Sequence, residues 1–264
     1  MEARLSELEV PLPFPVAPEY PGNQNDKVTT CVTVSTPVDV QKRIVNGVRC
    51  GQNDRLYHVK LRTSVGTFCG GSLITDEWIL TAAHCWERTM EADVNIHPGN
   101  EMETIKITRH EIYTENSKKH DIMLLKLEKK PKKIHKIDLP DCSTDLQLRN
   151  LFHVAGHGPF AVGEYDIYEE RNSETLLCGD MHVVDCSPLR GWFHNPNVPF
   201  DNWVCADGHQ VVAAGDSGGG AVFNGKIYAV ISGANDVQAF RDPCEFSRVC
   251  AYMHWIQSII GPNP

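Results

Sequence analysis

Three short stretches hold the residues whose types and spacing suit chemistry. Ala213-Ala214-Gly215-Asp216-Ser217-Gly218-Gly219-Gly220 sets one serine among four glycines, directly after a carboxylate. A serine hydroxyl is a weak nucleophile and needs a base within hydrogen-bond reach. Glycines beside it let the backbone turn sharply, so that N–H groups can converge on a developing oxyanion. Leu80-Thr81-Ala82-Ala83-His84-Cys85 offers a base in His84, and His120-Asp121-Ile122-Met123-Leu124-Leu125 offers Asp121 to orient its ring. The rest of the chain is expected to bring His84, Asp121 and Ser217 together.

The elements that must do this read as short strands. Apolar runs at Tyr57 to Leu61, Ile79 to Ala83, Ile105 to Thr108, Ile122 to Leu127, Phe152 to Ala155, Met181 to Val184 and Lys226 to Ile231 alternate with turn residues. Ala221 to Tyr228 reads as two strands across an Asn224-Gly225 hairpin turn. Many short strands with regular turns point to barrels or sandwiches rather than to an α/β sheet. One helix is predicted, Tyr252 to Ile260, where apolar residues recur at helical spacing and Gly261-Pro262 stops it. Lys129 to Asp145 is the expected connector between two halves.

Composition narrows the class. The chain has 264 residues, 41% hydrophobic and 22% charged, and a formal charge of −9. Those proportions suit a folded protein, and the acidic balance argues against nucleic acid as a partner. No apolar run approaches membrane-helix length. The basic run Lys129-Lys130-Pro131-Lys132-Lys133 is expected to be a solvated loop. Ten cysteines without a C-x-x-C pair suggest disulfides and an oxidising, extracellular compartment. Met1 to Glu9 is acidic and lacks the apolar core of a signal peptide; the cysteines are the stronger indication. Residues 1–43 read as a separate pro-segment, rich in proline between Pro11 and Pro21 and ending at the basic Gln41-Lys42-Arg43.

Gly-x-Ser-x-Gly also marks the nucleophile elbow of α/β-hydrolases. That elbow needs a helix after the serine and the order serine, acid, histidine. Here a hairpin follows Ser217, and the order is His84, Asp121, Ser217. With Ile44-Val45-Asn46-Gly47, Thr81-Ala82-Ala83-His84-Cys85, Asp121-Ile122-Met123-Leu124-Leu125 and Gly215-Asp216-Ser217-Gly218-Gly219 matching in order, the sequence resembles the trypsin/chymotrypsin-like serine proteases over residues 44–260. The resemblance implies an all-β fold of two six-stranded antiparallel β-barrels with a C-terminal α-helix. The protease domain would span 44–264, with a first barrel at about 44–135, a second at about 145–250 and the helix at about 250–260.

The same resemblance implies roles. Ser217 attacks the scissile carbonyl, His84 moves the proton, and Asp121 holds the imidazole tautomer. Backbone N–H groups of Gly215 and Ser217 form the oxyanion hole. Asp216 pairs with the α-amino group released by cleavage at Arg43–Ile44, which makes the uncut chain a zymogen. Implied disulfides are Cys69–Cys85, Cys50–Cys178, Cys142–Cys250 and Cys186–Cys205, with no cofactor. A bond between Cys31 and Cys244, pairing with another chain and a free thiol stay open. Two familiar bridges are lost as pairs, with Phe152 and Phe223 at one and Ala213 and Val237 at the other. Expected partners are a protein or peptide substrate, an activating protease and protein inhibitors, without nucleic acid or membrane.

The specificity pocket departs from a tryptic one. Val211 stands where an aspartate would grip Arg or Lys, the pocket strand reads Ser232-Gly233-Ala234, and Cys244 replaces a glycine on the far wall. A cation in an apolar slot is disfavoured, so a small or apolar residue is expected at the cleaved bond. Asp236 near the rim is expected to be solvated. His157 replaces a usual tryptophan, and with His153 it lacks the helical geometry of a metal pair. The acidic calcium loop is shortened, so no metal is expected. The competing reading is a protease-like binding protein with weak or no turnover.

Overall fold

The computed structural model describes residues 44–63, 66, 68–158, 165, 167, 173–189, 198–234 and 239–261. The pro-segment at 1–43, with Arg43 and Cys31, lies outside the described residues, as do Asp236 and Val237. Two closed antiparallel barrels of six strands each make up the body, with a single α-helix at the C-terminal end of the described chain.

The first barrel runs β2 (His58–Thr63), β3 (Phe68–Leu73), β4 (Trp78–Thr81), β7 (Lys118–Leu127), β6 (Glu103–Glu115) and β5 (Met90–Val94), which closes onto β2. Strand β7 explains its own composition. Met123, Leu125 and Leu127 point into the barrel with Val59, Leu61 and Ile79. Ile122 and Leu124 point the other way, into a second cluster with Tyr252 and Ile256. A strand buried on both faces needs a continuous apolar run rather than alternation, and Ile122 to Leu125 is such a run. The turn into β7 uses Asn116 and Ser117, both at positive φ (50° and 63°).

The second barrel orders β9 (Leu177–Val184), β10 (Trp203–Asp207), β13 (Cys244–Arg248), β12 (Lys226–Gly233), β11 (Gly220–Phe223) and β8 (Leu151–Gly156), which pairs back onto β9. The short β1 (Val48–Arg49) adds to β9 through Val48 and Cys178. Phe152, Val154, Leu177, Met181, Ile231 and Phe246 fill the core. Asn224 and Gly225 turn the β11–β12 hairpin at φ 49° and 75°, where a left-handed pair suits the strand twist. Residues 128–150 join the barrels without a strand, touching β12 through an isolated bridge from Asp138 to Lys226.

Helix α1 (Met253–Ile260) buries Ile256 against the cluster shared by the two barrels, and Gly261 ends it at φ 91°. Among the described residues there are four disulfides: Cys50–Cys178, Cys69–Cys85, Cys142–Cys250 and Cys186–Cys205. The basic run meets the protein's own acids. Lys129 lies 2.7 Å from Glu103, Lys130 2.9 Å from Asp76, and Lys133 2.8 Å from Glu101. The lysines are exposed, so the pairs carry small energetic weight.

Candidate active site

His84 sits in a one-turn 3-10 helix, Ala83–Cys85, that follows β4 and is tied to β3 by Cys69–Cys85. Asp121, near the start of β7, grips it twice. The His84 backbone N–H donates to Asp121 Oδ1 at 2.8 Å, and ring Nδ1 lies 2.8 Å from Oδ2. A carboxylate only accepts, so Nδ1 carries the hydrogen and Nε2 is left as the basic nitrogen. The second barrel holds the same aspartate. Ser232 Oγ donates to Oδ2, and Ser247 Oγ donates to the Asp121 carbonyl at 2.8 Å. Burial alone would push the Asp121 carboxyl up, but bonding and charge from His84, aided by Ser232, hold it below the ordinary value.

The serine turn is stitched between the barrels. Gly70 N–H on β3 donates to the Ser217 carbonyl at 2.7 Å, and Gly218 N–H donates to Ile231 O at 2.8 Å. Gly218 has φ 83°, and a Cβ there would lie 2.1 Å from Thr81 Oγ1 and 2.5 Å from Gly70 O. No larger residue fits that position. Gly215 has φ 92° and backs onto the Phe68 ring.

Asp216 points away from the cleft and is fully buried. Its Oδ1 accepts from Gly158 N–H at 2.7 Å and its Oδ2 from Ala213 N–H at 3.0 Å. Burial pushes its pKa up to about 7, with those two bonds opposing. The turn thus has backbone partners for its carboxylate. Gly156 is required here, since a Cβ would lie 1.9 Å from Asp216 Oδ1. Ile44 is fully buried in the second barrel's core, and Val45 bridges to Val211.

A cleft of about 890 Å³ runs between the barrels, with His84, Asp121, Gly215 and Ser217 in its lining. Ser232, Gly233 and Ala234 form part of its wall, while Trp86 and Ile112 lie nearby on the first barrel's side. Val211 and Cys244 are packed inside the second barrel with Val212 and Ala239. Cys244 is a free buried thiol, its pKa pushed up to about 12 by burial. His157 is buried, its Nδ1 3.1 Å from Ser173 O, and burial pulls its pKa down to about 4. His153 instead pairs with Asp180 at the surface. Among the described residues, Cys69, His84 and Cys85 are the group with ligand atoms close together, but both sulfurs are spent in a disulfide.

The clamp from Ser247 and the packing of Trp86 and Ile112 had no signal in sequence spacing. Ser232 did stand out, though as a pocket residue rather than as a donor to Asp121.

A family model described as Trypsin matches residues 44–256. This chain belongs to the trypsin family. The trypsin-family chain is 30% identical to anionic trypsin of Canis lupus familiaris over 243 residues, covering 87% of this chain and 94% of that one. It is 32% identical to factor V activator of Macrovipera lebetinus over 241 residues, covering 83% and 88%. Among solved structures it is similar to neuropsin, a serine protease expressed in the limbic system of mouse brain. The TM-score is 0.70 at 22% identity, covering 82% of this chain and 99% of that one. At that identity the likeness concerns the fold.

Proposed function

We propose that this trypsin-family chain is the zymogen of a secreted serine endopeptidase, using Ser217 as nucleophile, His84 as general base and then acid, and Asp121 as the orienting carboxylate. The observation that carries the reading is the double grip of Asp121 on His84, which fixes the tautomer with a basic Nε2 in the same cleft as Ser217. In this role Nε2 takes the Ser217 hydrogen as Oγ attacks the carbonyl, and returns it to the leaving amine. The N–H groups of Gly215 and Ser217 receive the oxyanion. The four disulfides suit an oxidising compartment.

Activation follows from Asp216. A buried carboxylate with two backbone donors is incompletely neutralised. An ammonium released at Ile44 by cleavage after Arg43 would complete it, and Ile44 is already buried in the same barrel. Preference follows from the cleft wall. Among the described lining residues the one carboxylate is Asp121, already bonded to His84 and Ser232. A substrate Arg or Lys would find no counter-charge, so small or apolar residues are favoured at the cleaved bond.

Labelling with a fluorophosphonate tests this. The chain cut after Arg43 should react at Ser217, the uncut chain and Ser217→Ala should not, and a peptide library should show cleavage after apolar residues. A cut chain that stays unlabelled would favour the binding-protein reading.

A further inference from the structure

His120 precedes the orienting carboxylate and borders the same cleft, yet the proposed reaction uses it neither as base nor as acid. Alternation along β7 sends it to the face opposite Asp121. There it is 1% exposed. Its Nδ1 lies 3.0 Å from Tyr252 Oη, a residue of the second barrel's exit turn just before α1. Asn202 Nδ2 donates to the same phenolic oxygen at 3.4 Å. Tyr113 of β6 packs edge-on against His120 at 4.9 Å, Tyr252 at 5.0 Å and Trp255 at 5.5 Å.

We propose that His120 and Tyr252 form a latch that positions Asp121 from behind, making His120 a positioning residue for catalysis. The inference rests on the triad reading above. Asp121 is then held from two sides: Ser232 and Ser247 fix its carboxylate and carbonyl, and His120 fixes the strand that carries it.

The hydrogens have one consistent arrangement. Burial raises the Tyr252 hydroxyl well above its usual range, so it stays protonated. It accepts from Asn202 and donates to His120 Nδ1, which leaves the His120 hydrogen on Nε2, 4.0 Å from Glu115 Oε2. The titratable groups around the ring are Tyr113 and Glu115 from β6 and Tyr252 from the turn before α1, with Lys119 and Asp121 beside it on β7. Burial lowers the His120 pKa, with Glu115 opposing. The latch is therefore set at neutral pH. Below the ordinary histidine range a second ring proton would face the phenolic hydrogen across 3.0 Å, and Tyr252 would have to turn its hydrogen away.

Asparagine and leucine both branch at Cγ as histidine does. Asparagine can place an oxygen where Nδ1 stands, and leucine places a methyl there. The test uses chain cleaved at Arg43 and an apolar p-nitrophenyl ester. His120→Leu and Tyr252→Phe should each lower kcat about tenfold with KM within about twofold, since small misplacements of a catalytic group act on the chemical step. The double variant should fall no further than either single one. His120→Asn should keep kcat, and its acid limb should be shallower than that of wild type. Unchanged kcat in both His120→Leu and Tyr252→Phe, or an Asn variant as impaired as the Leu variant, overturns the latch alone. A cleaved wild type whose Ser217 does not react with a fluorophosphonate overturns the triad reading and the latch with it.

Discussion

Two carboxylates flank the cleft, and the protein treats them oppositely. Asp121 accepts from a backbone N–H, an imidazole and a serine hydroxyl, and its carboxyl is held below the ordinary value. Asp216 is sealed among glycines with two backbone donors, and its pKa is pushed up to about 7. Burial raises both; only the first has partners enough to outweigh it. One carboxylate has partners enough for its charge, and the other is left short of them. In the proposed function this difference separates catalysis from activation.

The largest effect expected is at the first carboxylate. Asp121→Asn keeps the shape but lets the wrong imidazole tautomer form, and kcat of the cleaved enzyme should fall by about 10,000-fold. A drop of less than tenfold in an ester assay would erase the distinction drawn between the two carboxylates. At the second, Asp216→Asn removes the partner of the new ammonium. It should cost the cleaved enzyme about 100-fold or more in kcat, on the scale of losing an oxyanion donor, while leaving the uncut chain folded.

A stability measurement sharpens the same contrast. A carboxyl whose folded pKa lies above its unfolded value contributes stability fully present below about pH 4 and lost as pH rises through about 7. The melting temperature of the uncut chain should therefore decline across that window. In Asp216→Asn the decline should flatten, and in the cleaved chain it should shrink because the ammonium stabilises the charged form. The smallest effect is expected at Cys244, whose thiol is buried in the second barrel's core, near enough to Asp216 to feel its charge. Cys244→Ala should cost roughly 1 kcal/mol by chemical denaturation, from lost packing.

Legibility in the sequence followed physics. The β11–β12 hairpin was visible because Asn224 and Gly225 are the residues a left-handed turn demands. Strand β7 was visible because burial on both faces leaves an unbroken apolar run. Strand β3 was hidden: Phe68–Leu73 contains Gly70 and Gly71, which lower strand propensity. Those glycines serve tertiary needs, since a Cβ on Gly70 would lie 2.9 Å from Gly219 N and one on Gly71 2.7 Å from Ile79. Strand β13, Cys244–Arg248, was equally silent, because its buried Glu245 and Ser247 mimic a loop. His84, Asp121 and Ser217 stood out through their neighbours. Ser247 did not, since its bond to Asp121 spans 126 positions and leaves no local trace.

The Gly70 amide that reaches across to the Ser217 carbonyl joins a strand of one barrel to the turn of the other. Leu80, Ile122, Val230 and Ile227 pack together along that same seam. The boundary between the halves is thus solid core rather than a joint. Heating is expected to take scaffold and nucleophile together, because a large apolar seam suppresses relative motion of the halves.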